Sequence, residues 1–145
     1  MLNLRLSAWA VAFLGIVAGT AMLVRPGQAE DKAVDTTVYE LRTYVCHEGR
    51  LPALHARFRD HTMKLFEKHG MKNGMYWTPT DGEGASNTLI YVLEHKSREA
   101  ATKSWAGFRA DPDWLAVKTE TEKDAPIVAS VTSVFMTPTD FSPGR

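Results

Sequence analysis

Five histidines and one charged pair carry most of the chemistry this chain could offer. His61 is the most informative of them. It lies seven residues after Leu54 and four before Leu65, so an unbroken helix would hold it on its inner apolar stripe. An imidazole in that position needs a hydrogen-bond partner. It would serve either as a structural histidine bonded to strand or loop backbone, or as a catalytic base or ligand contact in a pocket between helix and sheet. His47, His55, His61, His69 and His95 contain no pair spaced i,i+2 or i,i+4, so no metal site is expected. No cofactor is expected either, although haem ligation through one histidine stays open. The chain has no Gly-rich phosphate loop and no Gly-x-Ser-x-Gly elbow, which weighs against nucleotide enzymes and serine hydrolases.

Glu40, Arg42 and Tyr44 alternate along one face of a strand. If that face is uncovered, all three enter the interior of a dimer. Paired charges there fix register and partner geometry more often than they catalyse. Tyr76, Tyr91, Trp77, Trp105 and Trp114 form an aromatic set. Most suit a core, and some suit a flat apolar pocket for an aromatic or isoprenoid-like ligand. The pocket candidates are Tyr39, His61, Trp77, Tyr91 and Trp105. Cys46 is the single cysteine, so no intramolecular disulfide can form, and a buried, inert thiol is the expected reading.

The elements that must position these groups follow from periodicity. Thr36–Cys46 alternates as a strand, with Tyr39, Leu41, Thr43 and Val45 on the other face. Leu51–His69 has helical spacing through Leu51, Leu54, Phe58, Leu65 and Phe66, with Arg57, Arg59, Lys64 and Lys68 toward solvent and Gly70 as the stop. Strands are expected at Met71–Pro79, Thr88–His95 and Ile127–Met136. Thr88–His95 is apolar on both faces and should be covered on both sides. Ser97 caps a second helix running to about Arg109, with Ala101, Trp105 and Phe108 inward. Asp111-Pro112 begins a short third helix burying Trp114, Leu115 and Val117. Thr-Pro-Thr-Asp occurs twice, at 78–81 and 137–140, once after the second strand and once after the fourth.

This order predicts an α+β fold: a ferredoxin-like βαββαβ unit with a four-stranded antiparallel sheet and helices on one face. The other face would be left apolar, so a homodimer is expected.

The chain has 145 residues, 44% of them hydrophobic and 23% charged, with 17 basic and 17 acidic side chains. That suits one ordinary domain and supplies no basic field for nucleic acid. Residues 1–29 differ from the rest. Arg5 precedes an uncharged run from Leu6 to Val24, and Arg25-Pro26-Gly27-Gln28-Ala29 ends it with small residues. This is the layout of a secretory signal peptide cut before Glu30; the alternative is an uncleaved membrane anchor over 6–24. Both readings place the domain outside the cytoplasm, periplasmic or secreted, and the membrane enters only through this segment. Residues 30–35 are a linker, 36–138 the domain and 139–145 a loose tail.

Several blocks, in order, resemble the NIPSNAP family: Tyr39-Glu40-Leu41-Arg42-Thr43-Tyr44, Arg57-Phe58-Arg59-Asp60-His61-Thr62, Leu65-Phe66-Glu67-Lys68-His69-Gly70-Met71, Trp105-Ala106-Gly107-Phe108-Arg109 and Asp111-Pro112-Asp113-Trp114. The resemblance spans about residues 37 to 138. It implies the dimeric α+β barrel fold, whose superfamily includes cofactor-independent monooxygenases and haem-handling proteins. NIPSNAP chemistry itself is unsettled, and fold alone does not give it. Three functions compete: binding of a small apolar or aromatic ligand in a helix–sheet pocket of a dimer, cofactor-independent monooxygenation or isomerisation through His61, and a structural or interaction module.

Overall fold

The computed structural model describes residues 36–143. The expected signal segment and the linker both fall outside them. Strand β1 is Val38–Cys46, and a helical stretch follows in three pieces: α1 (Leu51–Arg57), a π-turn (Phe58–Thr62) and α2 (Met63–Lys68). Then come β2 (Lys72–Trp77), a single 3₁₀ turn at Glu83–Ser86, β3 (Thr88–His95), α3 (Arg98–Ala110), α4 (Pro112–Thr121) and β4 (Val128–Met136). The four strands form one antiparallel sheet in the order β2-β3-β1-β4. This is the expected α+β, ferredoxin-like arrangement.

Local signals place the boundaries. Pro52 sits in the first turn of α1, where its missing N–H is harmless. Gly70, at φ 75°, ends α2 in the left-handed region. The Ser97 hydroxyl accepts from the Ala100 N–H at 3.1 Å to cap α3. Asp111 caps α4 by accepting from the Asp113 N–H at 2.8 Å.

The core lies between the helices and one sheet face. Leu54, Phe58 and Phe66 come from the first helical stretch, Leu89, Tyr91 and Leu93 from β3, and Trp105 and Phe108 from α3. The opposite sheet face is open in the single chain. The register puts Tyr39, Leu41, Thr43 and Val45 of β1 on it, beside Ile90, Val92 and Glu94 of β3 and Val134 and Met136 of β4. Edge strand β4 is exposed along most of its length.

Three expectations are corrected. Glu40, Arg42 and Tyr44 pair across β3 with Leu93, Tyr91 and Leu89, so they face the helices and not a dimer interior. Both faces of β1 mix apolar and polar residues, and alternation alone could not tell which one is covered. Leu115 is 51% exposed, and α4 buries no residue fully; Trp114 is only half-buried against Phe108. Arg57 is buried, not solvent-facing: its guanidinium donates to Glu122 at 2.8 Å and lies 5.3 Å from the Trp114 ring centre.

Gly107 records a close approach between helices. A Cβ built there would stand 2.8 Å from His69 Nδ1. That ring is held by its Nε2, 2.5 Å from the carboxylate of Asp111. Hydrogen bonds from Lys68 and His69 keep Asp111 well below the usual carboxylate range. Ala normally stabilises a helix over Gly by about 1 kcal/mol. Here the expected sign is reversed: Gly107→Ala should lose about 1–2 kcal/mol through overpacking, measured as a shift in the urea midpoint at unchanged slope.

Candidate functional site

The π-turn decides which side chains the first helical stretch presents to the sheet. Its marker is the Met63 N–H bonding back to the Phe58 carbonyl, five residues earlier. The wider turn makes room for one extra residue. Thr62 therefore becomes buried, its hydroxyl donating to the Arg57 carbonyl at 3.2 Å, and His61 swings out to solvent. The inward His61 expected from an unbroken helix is not found. No pocket residue or hydrogen-bond partner meets its ring among the described residues.

The same turn opens a cleft of about 280 Å³ between helix and sheet at the β2 edge. His55, Arg59 and Met63, spaced four apart, form one wall, with Phe58 behind them. Tyr76, Trp77, Thr78 and Leu89 form the other. The Tyr76 ring stacks on Tyr91 with centres 5.2 Å apart and meets Phe58 edge-on. Its hydroxyl donates to Asn73 Oδ1 at 2.5 Å, and Asn73 Nδ2 donates to the Met63 carbonyl and to Glu67 at 3.0 Å. The back wall is thus fixed to the helix. Burial, helped by Glu67 and Tyr44, pushes the Tyr76 phenol well above its ordinary pKa. His55 Nε2 and Thr78 Oγ1 lie 3.2 Å apart across the cleft.

Behind the aromatic wall lies a buried polar cluster centred on Glu40. One carboxylate oxygen accepts from Trp105 Nε1 at 2.6 Å and from His95 Nε2 at 3.0 Å. The other accepts from Arg42 and from Ser133 Oγ, both at 2.6 Å. Burial alone would raise the Glu40 pKa, but hydrogen bonds from His95, Ser133, Trp105 and Arg42 outweigh it and hold it at about 2. The Arg42 guanidinium lies over the Trp105 ring, 4.1 Å from its centre. The cluster is a buried polar knot in the core, with Glu40 1% exposed.

The sequence-based pocket candidates therefore scatter. Trp77 lines the cleft and is 46% exposed. Tyr91 is core, fully buried behind Tyr76, and Trp105 is spent on Glu40. Tyr39 lies on the open sheet face, in a second hollow of about 740 Å³ lined also by Lys72, Glu94, Met136 and the segment Thr137–Thr139. Each copy of Thr-Pro-Thr-Asp begins directly after its strand, and each contributes threonine to the lip of one hollow. Cys46 is buried and free, and desolvation pushes its thiol up against the opposing pull of Arg57 and Arg50. Among the described residues, no group of three potential ligands could hold a metal ion.

The NIPSNAP sequence profile matches residues 39–143. The chain belongs to the NIPSNAP family. Solved structures agree with that assignment. A NIPSNAP-like domain protein of Burkholderia xenovorans is similar at 16% identity and TM-score 0.65, over 75% of this chain and 90% of its own. A NIPSNAP family protein of Agrobacterium tumefaciens is similar at 24% identity and TM-score 0.63, over 76% of this chain and 95% of its own. SnoaB, a cofactor-independent oxygenase from Streptomyces nogalater, shares the fold at 12% identity and TM-score 0.51, over 74% of this chain and 98% of its own. No curated protein matches. This NIPSNAP chain thus has the fold of the dimeric α+β barrel proteins. Its cleft residues His55, Arg59, Met63 and Thr78 were missed from sequence. The signal that could have found three of them is the four-residue spacing of His55, Arg59 and Met63, which marks one helical stripe.

Proposed function

We propose that this NIPSNAP protein is exported, works as a homodimer and binds a small, flat, largely apolar ligand in its helix–sheet cleft. The observation that carries the binding reading is the cleft itself: about 280 Å³, lined by Phe58, Tyr76 and Trp77 and opened by a π-turn. Its size is at the lower edge of small-molecule sites, and it opens to solvent along the β2 edge. π-turns recur at functional sites. An oxygenase or isomerase reading would need a general base at the ligand. Tyr76 is unsuited, because burial raises its pKa and its proton is donated to Asn73.

Titration with 1-naphthalenemethanol, followed by NMR, tests the cleft. Saturable shifts are expected at the Trp77 indole and the His55 ring. Met63→Trp, which fills the hollow with an indole, should abolish them with the melting temperature retained. Binding that survives this substitution would refute the site.

The homodimer reading is supported by the open sheet face, where Val134 and Met136 are 55% and 37% exposed. Soluble monomers rarely leave such a face bare, and the structural relatives belong to a dimeric barrel class. Light scattering should give twice the chain mass, and a monomer mass would sink this part. Export is supported by the pattern of residues 1–29. A mature N-terminus at Glu30 is the expected result, whereas an intact chain held in the membrane fraction would favour the anchor.

A further inference from the structure

The walls of the cleft narrow its ligand further. We infer that it selects an aromatic ring bearing an anionic group, the ring lying among Phe58, Met63, Tyr76 and Trp77 and the anion meeting Arg59. This rests on the cleft reading above and adds the charge to it.

The polar rim is His55, Arg59 and Thr78, and no acidic residue lines the hollow. His55 and Thr78 are bonded to each other across it. Arg59 differs from most other arginines of the domain. Arg42 is paired with Glu40, Arg57 with Glu122, Arg50 with the carbonyls of Thr121 and Ala125, and Arg98 lies over Phe135. Arg59 is exposed and has neither hydrogen bond nor ion pair among the described residues. A planar guanidinium with free donors beside an aromatic slot matches a carboxylate or sulfonate carried on a ring, which it can hold through two parallel hydrogen bonds. The position is also built rather than incidental. Arg59 belongs to the π-turn, and the same wide turn that sends His61 outward leaves Arg59 in line with His55 and Met63 on the cleft wall. The mature chain from Glu30 carries 15 basic and 17 acidic residues. Its overall field therefore does not gather anions, and any selectivity must come from this one local charge.

The experiment compares 1-naphthoate with 1-naphthalenemethanol by NMR titration of the wild-type protein, Arg59→Gln and Met63→Trp. Naphthoate should bind the wild type about tenfold more tightly, the size of one exposed charge-assisted contact. Arg59→Gln should remove that advantage and leave the alcohol's affinity unchanged. Met63→Trp should abolish both. Equal affinities in the wild type, or naphthoate binding indifferent to Arg59→Gln, would overturn the anion selectivity while leaving the cleft reading intact. Naphthoate binding that survives Met63→Trp would place the anion on the outer helix surface and overturn the inference. If neither compound binds, both readings fall.

Discussion

Glu40→Ala should lower the unfolding free energy by about 3–5 kcal/mol, the range for breaking a buried charge pair from one side. The carboxylate receives four hydrogen bonds, from Arg42, His95, Trp105 and Ser133. Alanine would strand a guanidinium, an indole N–H and an imidazole in a site that is 1% exposed. The pH dependence supplies a second readout. Glu40 titrates from an ordinary value of 4.5 in the unfolded chain and at about 2 in the folded one. The folded pKa is depressed, so the contribution is complete above 4.5 and is lost as the pH falls toward 2. Its size is about 3 kcal/mol. Urea unfolding across that window should show the wild type losing stability more steeply than Glu40→Gln, which has no proton to take up there. Equal acid slopes in the two proteins would show that the carboxylate is not ionised in the core.

Phe66→Ala is expected to cost as much by a different route. Phe66 is 1% exposed, and its ring lies 5.0 Å from Phe108, 5.4 Å from Trp105 and 6.0 Å from both Phe58 and Tyr91, centre to centre. Those rings come from α1's end, β3 and α3, so no single element can close the hole by moving alone. Burying a large ring and then removing it costs about 3–5 kcal/mol, the lost transfer energy plus the cavity. Phe66→Leu, nearly conserving volume, should cost under about 1.5 kcal/mol. Chemical denaturation of both variants measures the difference. A loss for alanine no larger than for leucine would mean the aromatic core collapses freely and is not the rigid support of the cleft.

The elements of this fold were legible because their signals are local. The Ser97 and Asp111 caps, the Gly70 stop and the strand alternation each act within a few residues, and each appears where expected. Which face of β1 is covered was not legible. Tyr39, Leu41, Thr43 and Val45 read as the better core face, yet the charged face turns inward. Glu40 and Arg42 satisfy one another there and find His95, Trp105 and Ser133, 55, 65 and 93 residues away from Glu40. Burial of a charge is decided by partners that distant, which no short window contains. His61 failed for a related reason. Its predicted direction assumed a constant helical pitch, and one π-turn was enough to change it. Of the cleft, only Trp77 was anticipated.

That turn has a further consequence for how the chain tolerates changes of length. Counted from Leu54, the inward residues Phe58, Thr62, Leu65 and Phe66 fall at +4, +8, +11 and +12. Drop a single residue between Phe58 and Thr62, and they fall at +4, +7, +10 and +11, the steps of a regular α-helix. The π-turn is therefore equivalent to one surplus residue in an otherwise regular spindle, accommodated on its outer side. Arg59, Asp60 and His61 ride on that surplus while the rings beneath keep their phase. A homologue one residue shorter here would keep the same interior and redraw only the rim of the cleft. The outer wall could thus be redrawn by a single-codon deletion, with no repacking of the protein behind it.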